Sequence, residues 1–153
     1  MSLVVALDAG PLGLVTNPKR SPESMACAQW LQALVAAGSR VVLPEIADYE
    51  VRRELLRGRR QQGLRRLDAL VETVEYLPLT TAAMRQAAVF WAEARQRGRP
   101  TAEDKALDGD VILAAQVATM ESGDGIVATT NVGHLSRYVQ AAVWRDIPAA
   151  QDA

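Results

Sequence analysis

The stretch Leu3-Val4-Val5-Ala6-Leu7-Asp8-Ala9-Gly10-Pro11 decides how the rest of the chain is read. A short, continuous apolar run with two valines, cut off by an acid and then by glycine and proline, is the pattern of a strand buried on both faces. Asp8 then stands at its carboxyl end. Two further runs read the same way: Val41-Val42-Leu43 before Pro44, and Ile126 to Thr129 leading into Thr130-Asn131. Tyr76-Leu77-Pro78-Leu79 reads as a short edge strand, because proline cannot donate to a central ladder, and Ala142-Val143-Trp144 as a last short strand.

Helical patterns fill the intervals. After a loop over Asn17 to Glu23 with two prolines, a helix is predicted from about Glu23 to Ala37, closed by Gly38. Glu45 to about Arg60 carries Ala47, Val51 and Leu55 at i, i+4 and i+8 as an inward stripe. Gly63 separates this helix from another over Leu64 to Val74, and Thr80 and Thr81 cap a long helix reaching Arg97. Gly98 to Lys105 reads as a polar turn, and a helix follows from about Gly109 to Glu121, with Val111, Ile112, Ala115 and Ala118 inward. Gly123-Asp124-Gly125 reads as a turn and Val132 to Tyr138 as a short helix. Strands alternating with helices imply right-handed crossovers and a mainly parallel sheet covered on both faces, an α/β architecture in which functional groups collect at the carboxyl edge.

The 153 residues suit one domain, and 49% hydrophobic residues supply one core; only 5% are aromatic, which favours helices packed by aliphatic side chains. Residues 1–147 are expected to form the domain and 148–153 a tail. The net charge of -1 gives no global attraction to nucleic acid. One cysteine, Cys27, rules out an internal disulfide and any multi-cysteine zinc site, and suits the reducing cytoplasm; packing is its expected role. The opening residues lack a basic n-region and read as neither signal peptide nor membrane anchor. His134 is the only histidine, expected at the surface, so no histidine-based zinc site is available.

Acids and amides gather at element ends: Asp8, the Glu45 to Glu54 segment, Asp108 with Asp110, and Asn131. Hard divalent cations take oxygen ligands, and without a cation several close carboxylates would repel one another, so a cluster makes sense as a metal site. Each also has a structural reading. Asp8 before Gly10-Pro11 suits a turn start. Asp108 suits an N-cap, with Asp110 in the first turn. Glu54 suits an ion pair with Arg57. Glu50 lies about 100° around the helix from Val51, at the border of the inward stripe, where it can reach the sheet edge.

Four segments, in this order, carry a resemblance: Leu7-Asp8-Ala9-Gly10-Pro11-Leu12, Leu43-Pro44-Glu45 through Glu54-Leu55, Leu107-Asp108-Gly109-Asp110-Val111-Ile112-Leu113-Ala114-Ala115, and Ala128-Thr129-Thr130-Asn131. Together they resemble PIN-domain ribonucleases, most closely the VapC-type toxins of toxin-antitoxin pairs, over nearly the whole chain. The resemblance implies a PIN-like three-layer α/β/α fold and a cytoplasmic endoribonuclease using Mg²⁺ or Mn²⁺. Asp8, Glu50 and Asp110 would be catalytic, Asp8, Asp108 and Asp110 metal-binding, and Asn131 accessory, standing where many members have an acid. Gly10 departs from the pattern, since serine or threonine is common there. RNA substrate, an antitoxin protein and a homodimer are the implied partners.

Between Arg52 and Arg66 lie seven arginines against the single Glu54, a basic run in a neutral protein. It reads either as a solvated or partner-binding face or as an RNA guide through Arg52, Arg53 and Arg57, with Arg59 and Arg60 beyond. The alternative to an enzyme is a catalytically silent PIN module that binds RNA or a partner. A haloacid-dehalogenase-type phosphotransferase would want a second aspartate where Gly10 stands. A P-loop is absent, as is the acidic pair of a receiver domain.

Overall fold

The computed structural model describes residues 3–17, 19–97, 104–121, 124–133 and 135–149, with backbone alone for 104–107. The elements run β1 (Val4–Leu7), α1 (Ala9–Thr16), α2 (Pro22–Ala36), β2 (Arg40–Pro44), α3 (Glu45–Arg57), α4 (Gln61–Thr73), β3 (Glu75–Leu77), α5 (Thr81–Gln96), α6 (Asp104–Ala118), β4 (Gly125–Thr129) and β5 (Ala141–Val143). Short 3₁₀ turns cover Leu135–Arg137 and Trp144–Asp146.

The five strands are all parallel, in the order β3-β2-β1-β4-β5. β1 is therefore central, and every one of its residues is buried. Its side chains alternate between the two faces. Val5 and Leu7 join Val41, Leu43, Ile126 and Ala128 in a core with α1 to α4 and Trp144. Val4 and Ala6 join Val42 and Val127 against Leu113 and Val117 of α6. Val111 and Ala115, on another side of α6, pack on Ala87 and Ala94 of α5. The result is the expected three-layer α/β/α arrangement.

Three local readings change. Residues 9–16, given no element from the sequence, form α1; Asp8 is its N-cap and Pro11 falls in the first turn, where a missing N–H costs nothing. Gly63 does not separate helices but lies buried inside α4. A Cβ there would sit 2.6 Å from Leu55 Cδ2 and 3.3 Å from the Thr16 carbonyl, so glycine permits the close approach of α1, α3 and α4. The break falls earlier, where α3 ends and Arg60 N–H reaches back to the Leu55 carbonyl. Finally, α6 starts at Asp104 instead of Gly109: Lys105, Ala106 and Leu107 are good helix formers. Asp108 is thus within the helix, which removes the N-cap reading for it. The remainder of the expected 98–105 turn, Gly123 and His134 lie outside the described residues.

One buried polar side chain fixes α3 against α6. Pro44, the N-cap of α3, has no side chain able to cap. Gln116, 2% exposed, does so from α6: its Oε1 accepts from Ile46 N–H at 3.1 Å while its Nε2 donates to the Leu77 carbonyl at 2.8 Å. Gln116→Leu strands both backbone groups, and urea unfolding should show a loss of about 1–3 kcal/mol. Unchanged stability would mean the bridge carries nothing.

Candidate active site at the carboxyl edge of the sheet

Asp8 leaves the end of β1 with its backbone N–H bonded to the Ala128 carbonyl at 2.9 Å. Its carboxylate is held at both oxygens: Oδ1 accepts from the Ala9 N–H at 2.7 Å, and Oδ2 from the Thr129 hydroxyl at 2.7 Å. Thr129 is 1% exposed at the end of the neighbouring strand β4. Alternation along β4 would have placed a residue here, but one-dimensional reading put the weight on Asn131. Asn131 is exposed and its Oδ1 accepts from the Gly133 N–H at 3.1 Å, a local turn. The polar partner that β4 gives Asp8 is Thr129.

Asp110 lies on α6 at i, i+3, i+7 with Leu113 and Val117, the two residues that face the sheet. That stripe carries it to the same edge, half-buried, while Asp108 is exposed. Glu50 comes from α3. Its carboxylate lies against the backbone of α6, where a Cβ on Gly109 would be 3.2 Å from Oε2 and 3.3 Å from Oε1. Any residue larger than glycine at 109 would crowd it.

Electrostatics ties the three acids together. Burial pushes the Glu50 carboxyl above the ordinary glutamate range, and the negative charges of Asp8 and Asp110 push it the same way; Arg53 opposes them. Glu50 is therefore brought within the fields of both Asp8 and Asp110, the three acids coming from separate elements. They do not form a closed cage, since among the described residues no group of three or more His, Cys, Asp or Glu side chains is disposed to hold an ion. Mg²⁺ needs no such cage; it takes one or two carboxylates and keeps several waters. The all-oxygen donor set fits that kind of ion.

Gly10 backs onto Thr130. A Cβ at position 10 would sit 2.5 Å from Thr130 Oγ1, so the threonine hydroxyl occupies the space that a side chain there would need.

The basic run divides once folded. Arg52 is turned to Asp48 at 3.0 Å and Asp68 at 2.8 Å, bridging α3 to α4, and Asp48 also accepts from the Tyr76 hydroxyl at 2.7 Å. Its charge is balanced by these two carboxylates. Arg53 lies over the Tyr49 ring, 5.1 Å from its centroid. Arg57 pairs with Glu54 at 2.7 Å, an exposed pair as the spacing predicted. A groove of about 660 Å³ opens between α1 and α3, with Glu50 at one end and Lys19, Arg53, Glu54, Arg57 and Arg60 among its lining. Lys19 and its position opposite α3 were not legible in the sequence, because nothing local links the α1–α2 loop to α3.

No protein-family profile and no curated protein matches the chain. Solved structures do. VapBC2 from Rickettsia felis, bound to a DNA fragment from its promoter, contains a chain that superposes with a TM-score of 0.67 at 14% identity over 92% of this chain and 98% of its own. VapBC-1 from nontypeable Haemophilus influenzae gives 0.65 at 17% identity, covering 94% and 99%. DNA-bound VapBC from Salmonella typhimurium gives 0.65 at 17%, covering 93% and 98%. The chain thus has the PIN-like fold found in VapBC structures.

Glu50 sets a pH dependence. A carboxyl held above its ordinary range binds its proton more tightly in the fold than in the unfolded chain. The stability it contributes is full below the ordinary glutamate value, 4.5, and is lost as pH rises through the raised folded value. In chelator, Glu50→Gln should therefore raise the melting temperature at pH 7, with the gain shrinking to nothing as pH falls below the ordinary value. A variant that melts lower at pH 7 would contradict the crowding of the three acids.

Proposed function

We propose that the chain is a divalent-metal-dependent endoribonuclease and the toxin member of a toxin-antitoxin pair. The observation that carries this reading is that Glu50, which lines a groove with Lys19, Arg53, Arg57 and Arg60, lies within the fields of Asp8 and Asp110, in a fold shared with VapBC structures. Asp8 and Asp110 would hold Mg²⁺ or Mn²⁺, with Asp108 beside them on the exposed side of α6 and Asn131 acting only through the β4 turn. When bound, the ion supplies a more acidic water and offsets charge on the phosphate.

The residues of the chain do the positioning. Thr129 and the Ala9 N–H lock the Asp8 carboxylate in one orientation, so it needs no reorganisation to meet a cation. Glu50, ionised, accepts a hydrogen bond from the attacking water and aims its lone pair at phosphorus. The water oxygen bonds to phosphorus, the bond from phosphorus to the 3′ oxygen breaks, and that oxygen leaves with a proton. The products are a 5′-phosphate and a 3′-hydroxyl. Arg53 and Arg57 would meet the phosphate backbone; the exposed Glu54–Arg57 pair contributes little to stability, about 0–1 kcal/mol, and can open to do so.

Partners follow from the same reading: an antitoxin protein, a second copy of the chain, and RNA, all in the cytoplasm. No helix among the described residues is long and apolar enough to cross a membrane. The alternative is a silent PIN module. It is favoured by Asn131, neutral and engaged in its own turn where an acid could have served.

Incubating the protein with single-stranded and structured RNAs in Mn²⁺ or Mg²⁺ decides between them. The expected result is cutting that a chelator abolishes and that falls at least about a hundredfold in Asp8→Asn, as when a group acting on the transition state is lost. Folded protein that cuts no RNA would establish the silent module instead.

A further inference from the structure

The far end of the groove is built by an unusual helix terminus. After α3, Arg59 N–H bonds to the Leu56 carbonyl at 3.1 Å and Arg60 N–H to the Leu55 carbonyl at 2.9 Å, the paired bonds of a Schellman turn. The residue that must be left-handed in that turn is Arg59, at φ 53°. Glycine normally fills this place, because a Cβ crowds the backbone in the left-handed conformation. Glycine is instead one position earlier, at Gly58, whose φ of -84° any residue could adopt.

Gly58 has a different use. The Arg60 side chain folds back over it: a Cβ on Gly58 would lie 3.2 Å from Arg60 Nε and 3.5 Å from its Cγ. Arg60 is thereby returned across the helix end into the groove lining. Lys19 reaches the same groove from the α1–α2 loop. That loop is fastened by Arg66, whose Nη1 donates to the Asn17 carbonyl at 2.9 Å, and by the Asn17 side chain, which accepts from the Lys19 N–H at 2.9 Å. Two of the basic residues thus serve the architecture, Arg52 and Arg66, while Lys19 and Arg60 stand exposed at the groove's distal end.

We infer that Lys19 and Arg60 form a second anchoring point for RNA, a cationic clamp on one backbone phosphate of a single strand, displaced along the groove from the carboxylates. The inference rests on the nuclease reading for the identity of the polyanion. From Glu50 to Gly58 the helix advances eight residues, about 12 Å, so the clamped phosphate lies a few nucleotides from the bond that is cut. The clamp is a positioning device: it fixes how far the strand threads past the carboxylates and so which bond is presented to them. Lining charge supports RNA over an acid-poor peptide, since Lys19, Arg53, Arg57 and Arg60 face only Glu50 and Glu54.

The test measures binding and cutting separately, on the full chain. Binding of a fluorescently labelled single-stranded RNA in chelator is followed by anisotropy across a salt series. Each phosphate contact contributes about 0.7 to the slope of log K against log salt for single strands. Arg60→Ala and Lys19→Ala should each lower the slope, and the double variant should lower it by about 0.7, the share of the single phosphate that both residues hold. Gly58→Ala, which suits the backbone and displaces only the Arg60 side chain, should lower it in the same direction. Arg40→Ala, at the opposite edge of the sheet, should leave it unchanged. A methylphosphonate walk along the RNA then locates the clamp: one neutralised position away from the cut should weaken binding to the wild type and have no effect on the double variant.

Wild-type slopes in both single variants, with binding intact, would overturn the clamp. So would a groove that binds a polyglutamate peptide but no RNA, which would assign it to an acidic protein partner. Slopes that fall as expected in a protein that cuts no RNA in Mn²⁺ would leave the clamp standing and remove the nuclease reading, so the two failures are told apart.

Discussion

The burial of β1 on both faces and along both edges governs everything else in this molecule. A strand with parallel neighbours on each side and helices above and below has no polar surroundings until it ends. Asp8 is placed at the first point where charge can be solvated or paired, and its two oxygens are immediately taken by the Ala9 N–H and the Thr129 hydroxyl. The same burial forces each face to be covered, which brings α3 and α6 to the ends of the strands and with them Glu50 and Asp110.

These acids sit where folding alone would not put them. Glu50 is half-buried, pressed against the Gly109 backbone, and within the fields of two other carboxylates. That arrangement costs stability, and the surrounding structure is built to hold it. Gln116 pins the start of α3 to α6, glycine at 109 makes room, and the Asp48–Arg52–Asp68 bridge ties α3 to α4. A cation bound beside these acids, as proposed above, would relieve the repulsion that Glu50 meets from Asp8 and Asp110.

Much of this was readable from the chain because the signals are local. An apolar run ended by an acid gives β1 and Asp8; the i, i+4, i+8 stripe of Ala47, Val51 and Leu55 gives α3 and sets Glu50 at its border. What was not readable depends on contacts distant in sequence. Helix α1 follows an Asp-Ala-Gly-Pro start that reads as a turn; the same Asp8 instead caps the helix, which packs closely on α4 at Gly63. Asp108 and Asp110 resemble a helix start until the preceding residues are seen to be helical already. Thr129 and Gln116 act on partners more than thirty residues away, Lys19 lines a groove with residues of α3, and composition could not sort Arg52 and Arg66, which hold the fold together, from Arg53, Arg57 and Arg60, which line the groove.

The three carboxylates are proposed to form a divalent-cation site and not a chance crowding. Calorimetric titration of the chain with Mn²⁺ at pH 7, beside Asp110→Asn, addresses it without any RNA. Saturable binding that is lost or greatly weakened in a folded Asp110→Asn variant is the predicted result. No heat of binding in the wild type, or the same affinity in both proteins, would contradict it.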